Sequence, residues 1–215
     1  MHLYGDGSLT ERNLVQDSVM VGNGVIYRFV FGCGHSNVME VAANYGGILG
    51  LGRGRVSIIN QISTLIGGVL SYCLATSANP SPGWITMPIS EDVFNLRKGK
   101  GGVILDTGTT LTTLPQTTYK ALRDAYLAQT ASIPRVLPVH PFEVCYIITL
   151  HFDGGLVLPP MSKNIFITMD GMYTWCLALL PSTFSFSIIG NIQQKYSLII
   201  INTLNGQISF TPSAC

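Results

Sequence analysis

The run Val103-Ile104-Leu105-Asp106-Thr107-Gly108-Thr109-Thr110-Leu111 sets the fold. Three aliphatic residues lead into a carboxylate, then a glycine, then small hydroxyl residues, then leucine. The pattern predicts a buried strand ending on Asp106. A carboxylate in such a place needs hydrogen-bond partners, because buried charge without them is strongly unfavourable. Gly108 permits a tight turn directly after it. The hydroxyls of Thr107, Thr109 and Thr110 are within local reach of the carboxylate or its loop. Taken alone, the segment is equally consistent with an ordinary strand-to-turn junction closed by an Asx-turn.

The rest of the chain is aliphatic and poor in charge. It has 215 residues, enough for one large or two small domains. Charged residues make up 11%, against roughly 25% in an average globular protein. The formal net charge of +1 leaves no basic face, so neither nucleic acid nor an anionic membrane surface is an expected partner. The longest apolar runs, such as Ser197-Leu198-Ile199-Ile200-Ile201, have the length of a strand and fall far short of a membrane span. Many Gly, Thr, Ile and Val residues point to a mainly β protein.

Five cysteines, at 33, 73, 145, 176 and 215, are widely spaced and form no C-x-x-C pair. They suggest disulfides and an oxidising compartment, with one thiol left over. Cys33-Gly34-His35 lacks the second pair that a metal site would need, so no metal is expected. The first residues show no basic region followed by an apolar stretch, and no signal peptide is expected in this chain.

Along the chain, Tyr4-Gly5-Asp6-Gly7-Ser8 is expected to be a hairpin tip with no strand ahead of it. Residues 20–24 and 25–33 are expected as strands. Gly46-Gly47-Ile48-Leu49-Gly50-Leu51-Gly52 sets apolar pairs between glycines, which suits a strand passing close to another backbone. Residues 55–65 predict a short helix with Val56, Ile59, Ile62 and Ile66 on one face. Gly67-Gly68 ends it. A strand over 69–74 follows, then a Pro-containing linker over 77–83. Pro115 opens a helix over 116–131, with Tyr119, Leu122, Ala125 or Tyr126, and Gln129 at helical spacing. Residues 133–141 predict a loop. Strands are expected over 147–152, 165–169 and 175–180, and a terminal hairpin over 196–211 turns at Asn205-Gly206. Ser187-Ile188-Ile189-Gly190-Asn191 echoes Ile48-Leu49-Gly50, and a short helical stretch follows each. The echo predicts two related lobes, residues 1–74 and 75–215, of which the second alone carries an Asp-Thr-Gly.

Eight segments in this order resemble the pepsin-like aspartic endopeptidases, and more closely their plant nepenthesin-like branch. They are Tyr4-Gly5-Asp6-Gly7-Ser8, Phe31-Gly32-Cys33-Gly34-His35, Gly47-Ile48-Leu49-Gly50-Leu51-Gly52-Arg53-Gly54, Ser71-Tyr72-Cys73-Leu74, residues 101–114, Leu150-His151-Phe152-Asp153-Gly154-Gly155, Cys176-Leu177-Ala178 and Ile188-Ile189-Gly190-Asn191-Ile192-Gln193-Gln194. The resemblance implies a bilobal acid-protease fold with a partial N-lobe and a trimmed C-lobe. It implies that Asp106 is the second catalytic aspartate, supported by Thr107, Gly108 and Thr109. Tyr4, with Gly5, Asp6 and Gly7, would form the flap over a peptide or protein substrate. It also implies pairing of Cys145 with Cys176 and of Cys73 with Cys215, which leaves Cys33 without a partner. No cofactor is implied, and a monomer that is secreted or vacuolar is expected.

The family chemistry uses two carboxylates that share a proton, one a base toward water and the other an acid toward the substrate carbonyl. A single carboxylate near its usual pKa of about 3.9 cannot do both. Asp6, Asp153 and Asp170 each precede a glycine, but none follows an apolar strand, so none replaces the first Asp-Thr-Gly. Further departures from the family pattern fall near Glu11-Arg12, between Trp84 and Val93, and after Cys145-Tyr146. His35 and His151 are expected to be structural, and no serine sits in a nucleophile-elbow setting. The expected function is therefore aspartic-type peptide hydrolysis by family, with this chain alone inactive. The alternative is a non-catalytic binding or inhibitor protein of the same fold, as in plant inhibitors of glycoside hydrolases. A homodimer pairing two copies of Asp106 is disfavoured, because the N-terminal segment would obstruct the interface.

Overall fold

The computed structural model describes residues 1–4, 7–38, 46–52, 54–74, 101–147, 150–151, 157–158, 165–169 and 173–212. The expected linker over 77–83 lies outside them. The chain divides into two compact units, Met1–Ser71 with Ile200–Ser209, and Tyr72–Ile199 with Phe210–Cys215.

The first unit begins with β1 (His2–Leu3), β2 (Leu9–Val21) and β3 (Gly24–Val38), which form an antiparallel sheet in that order. A short strand therefore does precede Tyr4, since His2 and Leu3 pair with Thr10 and Leu9. The strands expected over 20–24 and 25–33 are the inner ends of a longer hairpin, turning at Gly22 and Asn23. The single helix expected over 55–65 is instead two short ones, α1 (Ile58–Gln61) and α2 (Ser63–Ile66). Ser57 caps α1 by accepting from the Asn60 N–H, and Gly67 in the left-handed region closes α2. Val56 lies before the cap and is exposed. Ile58, Ile59 and Ile62 pack with Phe29, flanked by Ile66, Leu70 and Ile201. The Gln61 amide fixes α1 to β3 by accepting from the Val30 N–H and donating to the Val30 carbonyl, both at 2.8 Å. The chain then enters β4 (Val69–Cys73).

The second unit opens with β5 (Val103–Leu105), β6 (Thr112–Pro115) and α3 (Gln116–Gln129). Pro115 is the N-cap of α3, which ends before the expected residue 131. Tyr119 and Tyr126 are buried on one face and Leu122 packs beside them, whereas Gln129 is exposed. The loop expected over 133–141 contains β7 (Arg135–Val136). After it come β8 (Cys145–Ile147), β9 (Leu150–His151), β10 (Val157–Leu158), β11 (Phe166–Thr168) and β12 (Thr174–Leu177). β9 and β10 pair antiparallel, and the others form a sheet in the order β11-β12-β8-β7. Tyr126, Tyr146 and Phe166 meet edge to face with ring centroids 5.9–6.4 Å apart, and Val144, Trp175 and Leu177 complete the core. Residues 175–180 are not one strand. They break at Ala178, where β12 gives way to β13 (Leu179–Ser182) in a different sheet.

β14 (Ser187–Ile189) and α4 (Asn191–Gln194) follow, and β15 (Ser197–Asn202) and β16 (Gln207–Pro212) form the terminal hairpin. The hairpin and β4 make a three-stranded sheet in the order β16-β15-β4. The sheet that positions Asp106 has the order β13-β6-β14-β5. Among the described residues β5 is the edge strand of this sheet, and Val103 and Ile104 remain 40% and 46% exposed rather than buried as expected.

Candidate active site

Asp106 follows directly on β5. β14 runs parallel to β5, with Ser187, Ile188 and Ile189 opposite Val103, Ile104 and Leu105. On its other side β14 meets β6 in antiparallel register, Ile188 opposite Thr113. The chain therefore leaves β5, turns through residues 106–111, and re-enters the sheet across β14. The loop carrying the carboxylate spans the end of an interposed strand.

Backbone bonds fix both ends of that loop. The Asp106 N–H donates to the Ile189 carbonyl at 3.1 Å. The Asn191 N–H donates to the Thr109 carbonyl at 2.7 Å, and the Ile192 N–H to the Thr110 carbonyl at 3.3 Å. Gly190 is where β14 passes beneath the loop. A Cβ there would lie 2.6 Å from the Leu111 carbonyl carbon and 2.8 Å from the Thr109 carbonyl oxygen, distances that no side chain accepts.

The carboxylate has local donors. Oδ1 accepts from the Gly108 N–H at 2.9 Å, and Oδ2 accepts from the Thr109 hydroxyl at 2.6 Å. Both bonds are charge-assisted when Asp106 is ionised. Asp106 and Thr109 are half-buried, and Thr107 and Gly108 are exposed. The carboxyl group is thus held in one orientation while solvent still reaches its loop.

A ring of amides and hydroxyls beneath the loop was not singled out from the sequence. Asn191 Nδ2 donates to the Thr107 carbonyl at 3.2 Å. The Thr112 hydroxyl accepts from the Gly190 N–H at 3.0 Å and donates to Gln193 Oε1 at 2.7 Å. Gln194, fully buried, donates to the Ile189 carbonyl at 2.7 Å and accepts from the Tyr72 hydroxyl at 2.6 Å. The signal available in the sequence was the polar run Asn191-Ile192-Gln193-Gln194 directly after an apolar-apolar-Gly segment.

Tyr4 and Gly7 belong to the first unit. The Tyr4 N–H donates to the Ser8 carbonyl at 2.8 Å, and the Gly7 N–H to the Tyr4 carbonyl at 3.1 Å. The Tyr4 ring meets His2 edge on, with centroids 4.8 Å apart. Gly5 and Asp6 lie outside the described residues. Cys145 and Cys176 sit opposite one another in β8 and β12 and are joined by a disulfide. Cys73 is disulfide-bonded, Cys215 lies outside the described residues, and Cys33 is a free, exposed thiol.

Two family models match the chain: xylanase inhibitor N-terminal over residues 2–87, and xylanase inhibitor C-terminal over residues 83–212. The second alone covers more than half of the 215 residues. The chain belongs to the pepsin-like plant aspartic protease family. Among members of the family, it is 31% identical over 264 residues to Protein ASPARTIC PROTEASE IN GUARD CELL 2 of Arabidopsis thaliana, covering 99% of this chain and 56% of that protein. It is 30% identical over 266 residues to aspartic proteinase nepenthesin-1 of Nepenthes gracilis, covering 99% and 60%. The chain thus spans little more than half the length of these relatives. An aligned length of 264 positions exceeds the 215 residues here, so the first relative carries internal residues with no counterpart in this chain.

The pepsin-like fold is shared with solved structures of lower identity. The crystal structure of edgp matches with a TM-score of 0.69 at 18% identity, over 88% of this chain and 65% of that one. Basic 7S globulin from soybean matches at 0.61 and 17%, over 87% and 64%. No helix among the described residues is long and apolar enough to cross a membrane.

Proposed function

We propose that this chain is the portion of an aspartic endopeptidase that carries the second catalytic aspartate, Asp106, with Thr107, Gly108 and Thr109 as its supporting loop. The observation that carries this is the Asp106 carboxylate, oriented by Gly108 and Thr109 at the end of β5 and still open to solvent. A carboxylate held in this way is pre-organised to share a proton with a second one and to activate water against a peptide carbonyl. Residues 1–74 and 75–215 are the two lobes, Tyr4 to Gly7 form the flap, and Cys73 pairs with Cys215. The substrate is a peptide or protein, with neither nucleic acid nor membrane as partner. The protein is a secreted or vacuolar monomer.

With one Asp-Thr-Gly, the 215 residues do not cleave peptides by themselves. The test joins the upstream Asp-Thr-Gly region of nepenthesin-1 to Met1 and measures peptide cleavage at acidic pH with and without pepstatin. Pepstatin-sensitive cleavage by the chimera, lost in Asp106→Asn and absent from the 215-residue chain, is the expected result. A folded chimera that neither cleaves peptide nor binds pepstatin overturns the proposal.

The description of both family models favours a second reading, a non-catalytic inhibitor of glycoside hydrolases. Calorimetric titration of the 215-residue chain into a plant-cell-wall xylanase separates the two. Stoichiometric binding unchanged by Asp106→Asn would support inhibition over proteolysis.

A further inference from the structure

Ile189 and Gly190 share one peptide unit, and side chains hold both of its poles. The Ile189 carbonyl accepts from the Asp106 N–H at 3.1 Å and from Gln194 Nε2 at 2.7 Å. The Gly190 N–H donates to the Thr112 hydroxyl at 3.0 Å. That hydroxyl in turn donates to Gln193 Oε1 at 2.7 Å, and Gln193 Nε2 donates to the Ala178 carbonyl at 3.2 Å. Two consecutive glutamines of α4 therefore reach the two ends of a single planar group.

The direction of each bond follows from the groups involved. A backbone carbonyl only accepts, so the Gln194 amide turns its nitrogen toward Ile189. The amide oxygen then faces Tyr72 and only accepts, so the phenol donates to it, at 2.6 Å. Burial raises the Tyr72 phenol above its ordinary range, which keeps that proton in place through neutral pH. Gln194 is fully buried. A buried amide is unfavourable unless both of its ends are bonded, and a leucine of similar size would fill the space without that requirement. The Asp106 loop supplies a reason for the amide. Gly190 must lack a side chain, because the Thr109 and Leu111 backbone crosses it at contact distance. Glycine also frees the backbone to rotate. Rotation of this peptide would swing away the carbonyl that receives the Asp106 N–H, and a grip on both poles prevents it.

We propose that Gln194, with Tyr72 setting the direction of its amide, is a positioning residue for Asp106. It holds the Ile189–Gly190 peptide so that the Ile189 carbonyl stays aimed at the Asp106 N–H, while Thr112 and Gln193 hold the opposite pole. The action runs through the backbone and reaches the carboxylate by fixing the start of its loop. Its consequence for peptide hydrolysis rests on the reading of Asp106 as a catalytic carboxylate. The test follows the loop and not cleavage, so either can fail alone.

Amide hydrogen exchange, followed by NMR on the intact 215-residue protein, tests this. Gln194→Leu keeps the volume and removes the amide, and Tyr72→Phe removes only the donor to it. Each should speed exchange at the Asp106 amide by about tenfold or more relative to the amides of β12. Val144→Ala, a loss of volume in the core beside β12, should not speed Asp106 relative to them. Gln194→Glu supplies a conservative rescue. A protonated carboxyl has one donor for the Ile189 carbonyl and one acceptor for the Tyr72 hydroxyl, whereas an ionised one sets a charged oxygen against the carbonyl. Burial raises the titration of such a carboxyl, so protection of the Asp106 amide should match the parent at about pH 4 and fall below it as the pH rises. This variant, at acidic pH, carries the test where Gln194→Leu does not fold. The proposal is overturned by unchanged relative exchange at Asp106 in Gln194→Leu or Tyr72→Phe, by the same relative effect in Val144→Ala, or by a Gln194→Glu protein whose protection relative to the parent does not change with pH.

Discussion

The Thr109 hydroxyl donates to Asp106 Oδ2 at 2.6 Å, three residues along the same loop, while the Gly108 N–H holds the other carboxylate oxygen. The two donors approach opposite oxygens, so residues of the loop itself fix the carboxyl plane.

Thr109→Val keeps the shape of that side chain and removes the donor. A hydrogen bond to a charged group is worth roughly 1.5–3 kcal/mol, less where solvent competes. Half-burial of the pair sets the expected loss at about 1 kcal/mol. Urea unfolding of the variant beside Thr109→Ser, which retains the hydroxyl and should lose little, measures it.

Gly190→Ala should be far more damaging. The added methyl meets the backbone of Leu111 and Thr109, which cannot swing aside as a side-chain tip could. Overpacking of this kind costs about 1–3 kcal/mol even where neighbours adjust. The expected outcome is a lower melting temperature together with loss of amide protection over residues 104–106 and 188–190. A variant as stable as the parent would show that the loop does not cross β14 as described.

Removing the disulfide by Cys145→Ala with Cys176→Ala releases a loop closed over a sequence separation of 31. Chain-entropy arguments put the loss at about 3–4 kcal/mol. Both cysteines are buried beside Phe142, so part of their packing is lost as well. Denaturant unfolding of the double variant beside the oxidised parent measures the combined loss.

Alkaline pH should unfold the protein through its buried phenols. Tyr119 is pushed up to about 12, chiefly by burial and then by the Glu143 carboxylate. Burial raises Tyr126, with Tyr146 adding to it, and burial raises Tyr72. Above pH ~10 the unfolded chain has released these protons while the folded chain retains them. The unfolded state then binds fewer protons, so stability is intact below pH ~10 and falls as pH rises towards 12. Tyr119→Phe should make this fall shallower. Circular dichroism recorded with phenolate absorbance across that window tests the sign.

Local pattern and register made much of the fold legible in the sequence. Val103-Ile104-Leu105 reads as a strand and is one, and Pro115 opens α3 with Tyr119 and Tyr126 inward. The misreadings share one cause, that a sequence pattern reports an element and not its neighbours. Val103 and Ile104 have the composition of a central strand, yet among the described residues β5 is an edge. Ala178 interrupts an unbroken apolar run because the chain changes sheets there. Val56 fits the helical period but precedes the Ser57 cap. The Asp106-Thr107-Gly108-Thr109 loop could be placed from its residues and from family resemblance. The support beneath it could not, because Gly190, Asn191 and Thr112 act through contacts to chain far away in sequence.

That separation governs when the carboxylate loop takes shape. Asn191 meets Thr107 across 84 residues, and β14 reaches β5 over a similar distance. Pairing over so long a span closes slowly. A ribosome that has delivered Asp106 must therefore continue through Asn191 before the loop can lock. Until residues 187–191 have emerged, Asp106 lacks the β14 pairing and the Asn191 contact that fix its loop.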